Sequence, residues 1–256
     1  MTTKTSARTA TATAAWTAAA IAAGLLLTGC QFETLAEQRK TVTADTEVTE
    51  AVRAVDVSDA RSGSIEVTAG SGPGVVVRRT VRYRGDAVPE PAQRVADGVL
   101  TLTNGSCSGR CSIDYRLEVP ATATVRLDSS SGRVTVSGVA AADVETSSGD
   151  VRADRIAGAL KIRTSSGEIT AEGLAGPGAD TRSGSGDVRL AFVKAPSSVA
   201  VETGSGEAWL SLPQAPYALD VSTTSGERDI TLPTDPSATA RLAVKTSSGD
   251  IRISAA

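Results

Sequence analysis

The chain has 256 residues with 26 lysines and arginines against 29 aspartates and glutamates, no histidine, three cysteines and 3% aromatic residues. A net charge of −3 offers nothing to nucleic acid or other polyanions, whose binding rests on a basic surface. The absence of histidine removes the commonest general base and metal ligand.

Lys4 and Arg8 precede an Ala/Leu-rich run from Ala18 to Leu27, closed by Thr28, Gly29 and Cys30. A basic start, a short apolar stretch and small residues describe an export signal too short to span a bilayer. Leu27-Thr28-Gly29-Cys30 resembles the lipobox of bacterial lipoproteins. That resemblance implies that residues 1–29 are removed as a signal peptide and that Cys30 carries acyl chains holding the protein at the outer face of the cell membrane. Two or three chains bind far more firmly than one myristoyl group. Removal of Lys4 and Arg8 with the signal leaves 24 basic and 29 acidic residues, a net charge of −5. The alternative is an ordinary cleaved signal with a chance cysteine.

Residues 30–50 are polar and sparsely apolar, and read as the lipidated cysteine followed by a tether. Residues 51–119 form an N-terminal β region in which 54–57, 64–67, 75–83 and 99–103 alternate as strands, expected to cap the repeats that follow. Cys107 and Cys111 lie in Ser-Cys-Ser-Gly-Arg-Cys between two strand-like runs. In an oxidising compartment this spacing predicts a disulfide stapling a hairpin tip. Free thiols or a zinc site are the rivals, and without histidine or further cysteines the usual zinc ligand set is incomplete.

Residues 120–256 carry a repeat. The pattern apolar-x-apolar-x-Ser/Thr-x-Ser-Gly-acid-apolar-x-apolar recurs around Gly149, Gly167, Gly186, Gly206 and Gly249, with looser copies at Gly132 and Gly226. Alternate positions are apolar on both sides of each glycine, as in Val144/Thr146 before Gly149 and Val151/Ala153 after it, which is the period of half-buried strands. After Gly226 the apolar slot holds Arg228, and Ile230 with Leu232 continue the pattern, so a bulge or offset is expected there. Copies this small bury their apolar faces only against one another. Two kinds of topology share this parity: a β-solenoid stacking each copy on the last, or an antiparallel meander or sandwich turning at each Ser-Gly. The acidic column Asp150, Glu168, Asp187, Glu207, Glu227 and Asp250 mildly favours the meander, because stacked like charges repel. The hydroxyl columns favour stacking.

These Ser-Ser-Gly-Asp-Val, Ser-Ser-Gly-Glu-Ile, Gly-Ser-Gly-Asp-Val and Ser-Ser-Gly-Asp-Ile copies, behind the cysteine pair and Leu117-Glu118-Val119-Pro120, resemble the DUF4097 family of β-strand repeats, catalogued as candidate adhesins. The similarity spans roughly Val52 to Ile253. It implies an all-β, right-handed β-helix-like solenoid in a cell-surface setting and brings no catalytic residues with it.

Several residue groups are candidates for chemistry. The acidic column would bind calcium only if several oxygens converged; with Arg152, Arg189 and Arg252 nearby it reads instead as a salt-bridged face. Trp209 takes an outward slot filled by threonine or arginine in sister copies. It is either a contact platform for sugar or protein, or packed locally against Arg189, Pro213 or Tyr217. A possible binding surface is therefore Trp209 and Arg189 with Asp150, Asp187, Glu207 and Asp250. The many serines lack an adjacent base, so no nucleophile is assigned. The closing run Asp250–Ile253 is expected to be an open edge for a partner strand or self-association. The sequence thus points to a non-catalytic surface lipoprotein binding an envelope protein or wall polymer, with no cofactor, metal or nucleic acid. The alternatives are an accessory or sensory lipoprotein of an envelope-stress system, and a β-helix enzyme acting on glycans.

Overall fold

The computed structural model describes residues 38–256, so Cys30 and the signal segment lie outside the described residues. In the first part of this chain the strands are β1 (Lys40–Val48), β2 (Ala54–Ala60), β3 (Ile65–Gly70), β4 (Val75–Tyr83), β5 (Ala92–Ala96), β6 (Val99–Thr103) and β7 (Ser112–Pro120). The repeats then supply pairs: β8 (Thr124–Ser129) with β9 (Val134–Ser137), β10 (Ala141–Thr146) with β11 (Val151–Asp154), and β12 (Leu160–Ser166) with β13 (Ile169–Leu174). They continue with β14 (Gly178–Ser185) and β15 (Val188–Phe192), β16 (Ser198–Ser205) and β17 (Ala208–Leu212), β18 (Ala218–Ser225) and β19 (Arg228–Ile230), and β20 (Arg241–Ser248) and β21 (Ile251–Ala255). No helix occurs among the described residues.

All repeat copies pair in parallel, which settles the topology as a solenoid-like stack and excludes the meander. Each copy gives one strand to a ten-stranded sheet and the next to an eleven-stranded sheet. The two sheets face each other across the core. Apolar slots fall in register: Leu127, Val144 and Ile162 in one sheet, Val136, Ala153 and Ala171 in the other. All six are fully buried. Burying a side chain of valine or leucine size contributes about 1.5–3 kcal/mol, and every copy adds several. Antiparallel pairing is confined to β1 with β4, β4 with β7, and β5 with β6.

The eighteen strands other than β1, β4 and β5 form nine coils, and their spatial order departs from chain order at both ends. At one end β2/β3 lies between β6/β7 and β8/β9. The region expected to cap the stack is thus continuous with it, and Gly63 is its first turn glycine: a Cβ on Gly132 would collide with the Gly63 carbonyl. At the other end β20/β21 inserts between β16/β17 and β18/β19. The chain passes one coil position at Pro213–Tyr217, builds β18/β19, and returns through residues 231–240 to fill the gap.

Three expectations change as a result. The C-terminal strand is not an open edge, because β21 is hydrogen-bonded on both sides; the edge belongs to β19, and to β18 in the facing sheet. No bulge follows Gly226: Arg228 pairs with Ile251 and Ile230 with Ile253 in unbroken register. Arg228 is tolerated in an apolar slot because this coil is outermost and its side chain is exposed, donating from Nη1 to the Val221 carbonyl at 3.3 Å. The polar tether is shorter than expected, since Lys40–Val48 is strand β1, antiparallel to β4. Its side chains are nearly all exposed. Pairing and the Arg78–Asp45 ion pair at 2.9 Å hold it, not burial.

Cys107 and Cys111 are disulfide-bonded with Cα atoms 5.4 Å apart. The stapled segment is not a hairpin, because β6 and β7 belong to different sheets. Leu100 and Leu102 of β6 and Ile113 and Tyr115 of β7 are all buried in the shared core. The disulfide therefore closes an arch in the place taken by Ser-Gly turns elsewhere. Reduction, or the double change Cys107→Ser with Cys111→Ser, is expected to cost about 2 kcal/mol on the chain-entropy relation for so short a loop. The measure is the urea midpoint with and without reductant; an unchanged midpoint would show the arch to be held by packing alone.

Candidate functional site

Each turn glycine is fixed by the coil beneath it. The Gly186 Cα sits so close to the Gly167 peptide that an added Cβ would fall 2.7 Å from its carbonyl carbon and nearer still to the oxygen, and φ there is +144°. In the later coils the hydroxyls before the turns donate to glycine carbonyls of the neighbouring coil, whereas Ser129 and Thr146 accept the N–H of their own turn glycines. Thr203 Oγ1 donates to the Gly186 carbonyl at 3.0 Å, Thr246 to Gly206 at 3.2 Å and Thr223 to Gly249 at 3.1 Å. Those hydroxyls are structural, since a buried carbonyl left unpaired is costly.

The acids after the glycines form a column on the outside of the turns. Asp150, Asp187 and Asp250 each accept the backbone N–H of the acid in the neighbouring coil, Glu168, Glu207 and Glu227, at 3.2, 2.9 and 2.9 Å. Arginines intervene: Arg189 pairs with Glu168 and with Asp187 at 3.2 Å, and Arg252 with Glu207 at 3.3 Å and Asp250 at 3.4 Å. Repulsion in the column is thus offset by backbone donors and guanidinium groups, and the salt-bridged face describes it. Among the described residues no group of three or more histidine, cysteine, aspartate or glutamate side chains is placed to hold a metal ion.

On the ten-stranded sheet the outward charges alternate along the stack, with Asp143 between Arg126 at 3.6 Å and Lys161 at 3.2 Å. Nearby, burial together with the Glu145, Asp59 and Asp56 carboxylates pushes the Asp128 carboxyl above its ordinary range.

The outward row of the eleven-stranded sheet runs Thr135, Arg152, Thr170, Arg189, Trp209, Arg252 and Asp229 across successive strands. Trp209 therefore stands between two arginines. The Arg189 guanidinium carbon lies 3.8 Å from the indole centroid, a cation–π contact. Two residues further along the same strands the row is Ala191, Ser211 and Ser254. Small side chains beside an indole leave an open groove of about 320 Å³, bounded by Glu172 at one end and by Asp229 and Thr231 at the other. Sequence reasoning singled out Trp209 and Arg189 but missed the trough. Its floor was readable as three small residues at one outward register position; its far end was not, because β19 pairs with β21 out of chain order.

Of the predicted surface residues, Arg189 and Trp209 line the groove, whereas Asp150, Asp187, Glu207 and Asp250 stand along the turn column, the last three buttressing the two arginines that flank the indole.

A family model described as Toastrack DUF4097 matches residues 91–254. No match is found among curated proteins. Among solved structures the chain is similar to a candidate adhesin from Bacteroides fragilis, at 14% identity and a TM-score of 0.48 over 86% of this chain and 99% of that one. It is also similar to a candidate adhesin from Parabacteroides distasonis, at 13% identity and 0.45 over 84% and 97%, and to a candidate cell adhesion protein from Clostridium sporogenes, at 13% and 0.39 over 86% and 100%.

Proposed function

Because the chain belongs to the Toastrack DUF4097 family, we propose that it is a non-catalytic, lipid-anchored binding protein on the outer face of the bacterial cell membrane. The groove beside Trp209 is the observation that carries this reading: a half-buried indole and two restrained arginines on a rigid sheet offer contacts without the parts of a reaction centre. No histidine is present, and Asp150, Glu168, Asp187, Glu207 and Asp250 of the column are engaged by arginines or backbone N–H groups. Support for an extracytoplasmic site comes from the disulfide, which persists in oxidising compartments, and from Cys30 behind its lipobox-like triplet. The partner is an envelope protein or wall polymer.

Full-length protein immobilised from its native membrane is expected to retain an envelope component that Trp209→Ala loses while melting at the wild-type temperature. Equal retention by both proteins would remove the groove from the function. Labelling with palmitate, lost in Cys30→Ala, is the matching test of the anchor; label that persists in that variant would place the lipid elsewhere.

A further inference from the structure

Resting on the reading of the groove as the binding site, we infer that its ligand is a neutral, linear glycan lying across the strands. The first ground is what the groove cannot use. Strands β13, β15, β17 and β21, which form the floor, are hydrogen-bonded on both sides, so the floor offers no backbone edge for an extended peptide to pair with, and the open edge of β19 lies only at the far end. Recognition falls to side chains, and those present are an indole, the hydroxyls of Ser211, Ser254 and Thr231, and planar charged groups at the rim.

Charge supplies the second ground. Arg189 is already paired with Glu168 and Asp187, and Arg252 with Glu207 and Asp250. An anionic ligand would meet the carboxylates that already neutralise both guanidinium groups, and a cationic one would meet two arginines beside the indole. Neutral hydroxyls face neither conflict, because a guanidinium held by carboxylates retains N–H donors and the carboxylates retain acceptor sites. The ion pairs fix these groups in place, so little rotamer freedom is lost when a ligand arrives.

Shape supplies the third. The groove crosses five strands, from Glu172 on β13 to Asp229 on β19. At about 4.8 Å between strands this is roughly 19 Å, the reach of a short oligomer rather than a single ring. Ala191, Ser211 and Ser254 keep the floor low along that line, and Trp209, one face of which is covered by the Arg189 guanidinium, offers its remaining surface in the groove as the apolar wall for a sugar ring. One aromatic anchor gives weak binding per site, and many copies anchored on one surface convert it to firm attachment.

The test uses the full-length chain in detergent and a panel of neutral tetrasaccharides of glucose, mannose, galactose and N-acetylglucosamine, with the matching disaccharides and an anionic galacturonate tetramer. Indole emission reports binding, with Trp209→Phe as the blank. At least one neutral tetrasaccharide is expected to bind, about tenfold tighter than its disaccharide. Its affinity should be unchanged between about 0.05 M and about 0.5 M salt, where exposed charge contacts are screened. Binding should be lost in Trp209→Ala and in Ser211→Tyr, which fills the trough from an outward position, both variants melting normally. Absence of neutral binding, binding only to the galacturonate, a steep salt dependence, or full affinity in Ser211→Tyr would each overturn the inference. If no saccharide binds but the envelope component still requires Trp209, the groove remains a binding site and the glycan assignment fails; if the component is also retained by Trp209→Ala, both fail.

Discussion

Gly186→Ala is expected to destabilise the protein by more than about 4 kcal/mol, a loss reserved for substitutions that strike packed backbone, and to lower the melting temperature by roughly 8–16 °C for a chain of this size. The added Cβ would meet the Gly167 peptide of the adjoining coil, with its carbonyl carbon at 2.7 Å, and nothing flexible stands between them. A φ of +144° adds strain for any L side chain. Relief requires the two coils to separate, which disturbs the Gly186 N–H bond to the Ser205 carbonyl at 2.8 Å and the Thr203 hydroxyl bond at 3.0 Å. Gly72→Ala is the control. Open space surrounds Gly72, and its substitution should stay within about 0.5 kcal/mol. Denaturant midpoints of the two variants check the argument: comparable values would mean that the glycine column serves turn formation alone and does not set the spacing between coils.

That column explains why so much of the fold was legible. A parallel stack with similar turns draws the same residue type into the same place in successive coils: glycine where backbones approach, a hydroxyl beside the polar groups of the turn, an apolar side chain where the sheets face. Local order was therefore written in the sequence at Gly132, Gly149, Gly167, Gly186, Gly206, Gly226 and Gly249. Order between coils was not. Nothing in the residues of β20 or β21 states that they slide beneath β18/β19; one trace is the interval from Gly226 to Gly249, the longest between turn glycines from Gly132 onward, which gives the return segment its length. Arg228 was a sign of the outermost coil and was read as a slip in register, since an inward charge in a chain-order stack would be buried. Gly63 escaped because serine follows it instead of an acid and because four strands separate its coil from the next in the series. Strand β1 escaped for a different reason: with both faces near solvent it carries no burial period. The binding groove was half legible, as a property of Trp209 and its slot, and became a site only when Ala191, Ser211 and Ser254 were seen in one line.

Ile162→Asp tests the facing sheets as directly as Gly186→Ala tests the stack. Ile162 is fully buried, in register between Val144 and Thr181. Losing its side chain forfeits about 2–5 kcal/mol as transfer and cavity terms, and the carboxylate brings a desolvation cost of several kcal/mol more, so the coil around it is not expected to form at neutral pH. The consequence is particular to a stack. Each coil touches only its neighbours, and stability is close to a sum of coil and interface terms; a broken central coil should divide one melting transition into two, belonging to the coils on either side. Because burial disfavours the charged form, the introduced carboxyl has a raised pKa in the folded state. The defect is thus greatest above that value and eases as pH falls through it, whereas Ile162→Asn should show no such recovery. Thr135→Asp places the same charge at an outward position between Glu66 and Arg152 and should shift stability by about 0.5 kcal/mol or less. A single sharp transition for Ile162→Asp, near the wild-type temperature at neutral pH, would be incompatible with two sheets closing over this side chain.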